Sequence, residues 1–162
     1  MSEIRDLLIN VIAASYLCPR KCRRILYMLF GLKIQTSRIS PHCFFGGNKI
    51  SIGKNTFINY NNFFDLSDRI TIGNNVRVAM CSRFITSTHE IGSTEMRGGV
   101  SKTAPIRIED GCWIGANVTI LPGVTIKAGT VIAAGAVVIH DCDENALYGG
   151  VPAKKIRDLQ EY

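Results

Sequence analysis

From residue 108 onward the chain sets a branched aliphatic residue at every sixth position: Ile108, Ile114, Ile120, Ile126, Ile132 and Val138. Four residues after each of the first five stands a second small or branched residue, Cys112, Val118, Val124, Thr130 and Ala136. The same beat runs upstream through Ile52, Ile58 and Phe64 and, after a two-residue shift of phase, through Ile72 and Val78. Apolar residues four and then two apart would wander around a helix, and they do not follow the pattern of a simple alternating strand. A solenoid of short strands accommodates them. Each six-residue unit makes one short strand and one corner, three units close a triangular coil, and stacked coils align the branched residues in inward ladders. Gly53, Gly73, Gly115, Gly123, Gly129 and Gly135, with Asn55, Asn75 and Asn117, supply turn-tolerant corners. A β-sandwich with Gly-rich turns is the competing reading, but its strands would recur at about 8 to 12 residues.

Three stretches leave the beat. Residues 1–33 read as a helical segment, with Ile4, Leu7, Leu8, Val11 and Ile12 on one face and a second helix from Arg24 to Leu32 after the break at Cys18-Pro19. Its two readings are a cap on the open end of the solenoid and a basic amphipathic contact with a membrane surface. Residues 86–105 form a polar, Gly-rich excursion from the solenoid (34–145), and excursions from rigid scaffolds are where function concentrates. Residues 146–162 form a C-terminal extension with a short helix.

At 162 residues the chain is about one domain long, with 46% hydrophobic and 20% charged residues, which argues against disorder. The net charge of +6 makes an anionic partner worth considering, but no basic stripe interleaved with aromatics appears, and nucleic acid is not expected. Six scattered cysteines, Cys18, Cys22, Cys43, Cys81, Cys112 and Cys142, read as reduced, mostly buried small hydrophobes of a cytoplasmic protein. The apolar run Leu7 to Leu17 does not read as a cleavable signal peptide and is too short to span a bilayer.

Residues 50 to 158 resemble the hexapeptide-repeat acyltransferases, in particular the branch of maltose and galactoside O-acetyltransferases and of capsule and O-antigen acetyltransferases. The resemblance is carried by Ile72-Gly73-Asn74-Asn75-Val76, Thr88-His89, Cys112-Trp113-Ile114-Gly115-Ala116, Pro122-Gly123-Val124-Thr125-Ile126 and Gly149-Gly150-Val151-Pro152-Ala153-Lys154. It implies an all-β solenoid, a left-handed parallel β-helix with an N-terminal helical cap, assembled as a homotrimer. It also implies acetyl-CoA as acyl donor and, with no metal required, a hydroxyl of a sugar or glycan as acceptor, in surface polysaccharide biosynthesis.

Residue by residue, the resemblance makes His89, sixteen positions after Gly73, the catalytic base. Transfer from a thioester to an alcohol needs one, because a neutral alcohol is a poor nucleophile, and histidine suits the task. The acceptor contact falls on Asn59, with Asn61 second, and Asp65 is a further candidate. Asparagines also fill β-helix corners, so both readings of Asn59 and Asn61 stand. The donor groove is implied beside the last coils, between subunits. Trp113, Gly115 and Ala116 line it, Ala134 and Gly135 leave clearance for the pantetheine arm, and Lys154 and Arg157 hold phosphates. The family carries a Thr-Lys pair where this chain has Ile139-His140, so the resemblance does not carry that cofactor contact over.

Three other functions compete. A xenobiotic or amino-sugar N-acetyltransferase would use the same fold. A γ-class carbonic anhydrase would need three histidines gathered by the coils, and His42, His89 and His140 are not spaced by whole coils. A non-catalytic scaffold would have no use for His89, the excursion and the Lys154 and Arg157 pair together.

Overall fold

The computed structural model describes residues 3–160. Residues 1 and 2 of the expected helical segment, and 161 and 162 of the expected C-terminal extension, lie outside the described residues. Strands are numbered in chain order, and most are two or three residues long. Three parallel sheets form the faces of a triangular prism. Face A holds β1 (Lys33–Ile34), β3 (Ile50–Ile52), β6 (Ile70–Ile72), β11 (Ile106–Ile108) and β14 (Thr125–Ile126). Face B holds β4 (Phe57–Ile58), β7 (Arg77–Val78), β12 (Trp113–Ile114), β15 (Val131–Ile132) and β17 (Ala146–Gly149). Face C holds β2 (Phe44–Phe45), β5 (Phe63–Phe64), β8 (Arg83–Phe84), β13 (Thr119–Ile120) and β16 (Val137–Val138).

The expected ladders are the core. Ile52, Ile72, Ile108 and Ile126 stack on face A, and Ile58, Val78, Ile114 and Ile132 on face B. On face C Phe45, Phe64 and Phe84 stack ring on ring at 5.0 and 4.8 Å, followed by Ile120 and Val138. All are buried, as are Cys112, Val118, Val124, Thr130 and Ala136 at the second repeat position. The two-residue shift of phase falls in the corner between faces C and A in the second coil, where Leu66 turns inward with φ 61°.

The glycines divide into two kinds. Gly123, Gly129 and Gly135 have positive φ, as do Asn55, Asn75 and Asn117, and are corners in the expected sense. Gly53, Gly73 and Gly115 do not. They are required by close stacking, since a Cβ on Gly115 would lie 2.6 Å from the Ala134 nitrogen.

The N-terminal segment closes the open end. Helix α1 (Glu3–Asp6) runs into a π-helical stretch (Leu7–Ala13), and α2 (Arg20–Leu29) follows. First-coil carbonyls, with no coil beneath them, accept from the cap instead: Arg5 donates to Phe45 and Gly47, and Asn10 exchanges two hydrogen bonds with the Phe45 backbone. Arg23, 2% exposed, donates to the carbonyls of Ala13, Ser15, Cys18 and Ile39 at 2.6–2.9 Å. Ile9, Ala13, Arg23 and Tyr27 therefore face the prism, while Ile4, Leu7, Val11 and Ile12 face outward. Among the described residues no helix is long and apolar enough to cross a membrane.

The other end differs from expectation. In place of a short C-terminal helix, β18 (Lys154–Asp158) pairs antiparallel with β17. The last coil leaves the outer edge of β17 without a parallel neighbour, and a returning strand satisfies it where a helix would not. Of the cysteines, Cys43, Cys112 and Cys142 are buried. Burial pushes their thiols up to about 12, 11 and 12, so they stay protonated.

Candidate active site

The excursion is a paired hairpin rather than a loose loop. Strands β9 (Ser87–Ile91) and β10 (Gly98–Thr103) run antiparallel, with His89 opposite Ser101 and Thr88 opposite Lys102. It leaves the prism at the corner between faces C and A. The Ala104 N–H bonds to the Thr86 carbonyl at 3.0 Å, closing its foot. The Asp65 carboxylate grips that foot from the coil below, accepting from the Thr86 N–H and hydroxyl, both at 3.0 Å, and from the Ser67 hydroxyl at 2.8 Å. Partial burial alone would raise the Asp65 pKa. Hydrogen bonds from Ser87, Ser67 and Thr86 outweigh it and hold the carboxyl below the usual range. His89 is thus exposed, on a short strand whose root is fixed three residues away.

The acceptor and donor candidates lie mainly at another corner, between faces B and C. Backbone hydrogen bonds run from Asn59 to Val78, Ala79 to Ile114, Gly115 to Ile132 and Ala133 to Tyr148, each at 2.8–2.9 Å. Asn59, Ala79, Gly115 and Ala133 therefore form one vertical column of mostly small residues. Ala116 and Gly135 stand beside it, joined by a 2.8 Å hydrogen bond, and Ala134 packs on Gly115. The Asn59 side chain is engaged by the Tyr60 N–H at 2.9 Å, and Asn61 is exposed with φ 58°, the corner conformation. Ala79 and Ala133 had escaped notice in the sequence. The signal for them was the small residue after the core aliphatic of every third hexapeptide.

Trp113, 58% exposed, stands on the outer surface of face B in register with Val131, Leu147 and Arg157. Lys154 pairs with Gly149 at the top of the column. Lys155 is tied to Asp158 at 2.6 Å and to Asp143 at 3.5 Å, whereas Lys154 and Arg157 enter no ion pair among the described residues. The seven donor candidates thus share face B and its corner with face C.

Asp65 and His89 are brought together at one corner of the prism, and Asn59 and the donor candidates at the next. Face C separates them. Its outer surface carries Phe44 and Phe63, stacked at 4.9 Å and 40% and 38% exposed. His42 lies on the first-coil corner against Tyr16, and His140 is exposed after β16. Among the described residues no three His, Cys, Asp or Glu side chains are grouped to hold a metal ion.

Residues 105–140 match the family model for bacterial transferase hexapeptide repeats (six repeats). Over 121 residues the chain is 44% identical to a putative acetyltransferase of Schizosaccharomyces pombe, covering 74% of this chain and 58% of that protein, so it spans under two thirds of this relative's length. A maltose O-acetyltransferase from Clostridium difficile 630 superimposes with a TM-score of 0.83 at 30% identity, over 98% of this chain and 86% of that one. A hexapeptide-repeat acetyltransferase from Vibrio cholerae, solved with acetyl-CoA, does so with a TM-score of 0.80 at 36% identity, over 98% and 85%. The solenoid is accordingly the left-handed parallel β-helix, and the chain belongs to the hexapeptide-repeat acetyltransferase family.

Proposed function

We propose that the protein is an O-acetyltransferase that moves the acetyl group of acetyl-CoA to a hydroxyl of a sugar or glycan, working as a homotrimer in the cytoplasm, in surface polysaccharide biosynthesis. The observation that carries the reading is the placement of His89 and of the donor column on the two corners that flank face C. A three-fold assembly with face C inward sets the His89 hairpin of one subunit against the column of the next. It also covers Phe44 and Phe63, an aromatic pair exposed on the outer surface of that face.

In such a site Asn59 orients the acceptor, and the His89 imidazole takes the hydroxyl proton as the oxygen attacks the thioester carbonyl. The Ala116 backbone N–H stabilises the oxyanion, since the Gly115 N–H is already bonded to the Ile132 carbonyl. When the carbon–sulfur bond breaks, the imidazolium returns its proton to the leaving thiolate. Lys154 holds phosphates at the upper end of the column, and Arg157 does so on the adjoining outer surface of face B. Asp65 acts here as a positioning residue, because its oxygens are already bound to the hairpin foot.

The direct test follows free-thiol release from acetyl-CoA across mono-, di- and nucleotide sugars, for the parent and for His89→Ala. Acceptor-dependent release that falls by about 10²-fold or more in the variant supports the reading. Equal rates in the two would remove His89 from its role. An amine acetylated in preference to every hydroxyl would move the assignment to an amino-sugar N-acetyltransferase.

A further inference from the structure

Charge is unevenly distributed along the prism axis. From Leu7 to Phe64, the cap and first two coils, the chain has eight Lys and Arg residues and no Asp or Glu. The remainder holds eleven basic against thirteen acidic residues, so the N-terminal end accounts for all of the positive excess. Arg20, Lys21, Lys33, Arg38, Lys49 and Lys54 are exposed there.

The same end is apolar where it faces away from the prism. Arg23 and Tyr27 of α2 and Ile9 and Ala13 of the π-helical stretch point into the protein, which turns Leu7, Val11, Ile12, Leu17, Ile25 and Leu29 outward. Leu17 is 93% exposed, beside an open apolar cleft of about 400 Å³ shared with Val11 and Ile12. Arg20 and Lys21 follow at once, in the first turn of α2, which holds no acidic residue. A helix N-terminus favours anions, so cations there cost helix stability unless something else uses them.

We infer that this end is a docking surface for an anionic lipid bilayer. An apolar helix face flanked by cations is the arrangement that lies in a headgroup region, the apolar side chains below and the basic ones at the phosphates. A second copy fits less well, since a two-fold contact through this face would bring Arg20 and Lys21 of both chains together. The prism then stands upright on the membrane. Asn59 lies in the second coil and the His89 hairpin leaves the third, so the site of the proposed acetyl transfer sits about 5 to 15 Å above the cap. That last step alone rests on the acyl-transfer reading, and it selects a membrane-borne glycan as the acceptor.

The test is co-sedimentation of the full chain with vesicles of phosphatidylcholine alone and of phosphatidylcholine with phosphatidylglycerol, and it needs no enzymatic activity. Binding is expected to the anionic vesicles only, weakening as salt rises. Leu17→Glu should lower it by about tenfold or more, and Arg20→Glu with Lys21→Glu by about a hundredfold, with circular dichroism and acetyl-CoA binding unchanged. Absence of binding, or equal binding by the variants, would overturn the inference. So would an assembly formed without vesicles that Leu17→Glu dissolves, because the face would then belong to a second copy.

Discussion

Asp65 fixes the foot of the hairpin by accepting hydrogen bonds from Thr86 and Ser67. It joins two coils at the point where the hairpin departs, so Asp65→Asn should slow acetyl transfer while leaving acetyl-CoA affinity unchanged, measured as kcat against Kd. The sign of its pH dependence follows from its lowered pKa. The contribution is present above the unfolded-state value near 4 and is lost as pH falls through the lower folded value. Denaturant melts at pH 6 and pH 3 should show a larger loss in the parent than in Asp65→Asn. Tyr27 makes the opposite case. Its hydroxyl is buried between the cap and the prism and has no hydrogen-bond partner among the described residues, so Tyr27→Phe should leave stability unchanged or raise it by about 1 kcal/mol. A loss above about 1 kcal/mol in a chemical melt would mean that the hydroxyl does find a partner.

At the scale of elements, the parts most legible in the sequence were those that repeat. Ile108 to Val138 announce their ladders because a period of six has few structural solutions, and each inward residue meets its counterpart one coil away. The hairpin was legible as a departure, not as a pair of strands, because Thr88-His89-Glu90 and Ser101-Lys102-Thr103 are polar on both faces and carry no burial pattern. The C-terminal strand was missed because what draws Lys154–Asp158 into pairing is the open edge of β17, a property of the assembled coil. The outward turn of Leu7, Val11 and Ile12 was likewise hidden, since Arg5, Asn10 and Arg23 decide which side of the cap faces the prism. The column of small residues makes its own prediction. Gly115→Ala places a methyl against the Ala134 nitrogen and should destabilise the fold by about 1–3 kcal/mol, read as a lower denaturation midpoint.

For the whole molecule, the column of Asn59, Ala79, Gly115 and Ala133 and the hairpin of His89 flank the same aromatic face, one face apart. No sequence pattern announces this, because the two corners are separated by the width of a sheet and not by a fixed number of residues. Phe63→Asp should therefore convert the proposed trimer into monomers by light scattering and abolish activity. The most direct measurement pairs two variants that each disable one corner, His89→Ala and Ala134→Trp, the second filling the donor groove at an exposed position. Each should be inactive alone. Co-expressed in equal amounts they assort at random, so that about a quarter of all interfaces, homotrimers included, combine an intact His89 hairpin with an intact neighbouring groove, and about a quarter of the parent's thiol-release rate should return. Mixed trimers as silent as either variant alone would contradict a site built between subunits.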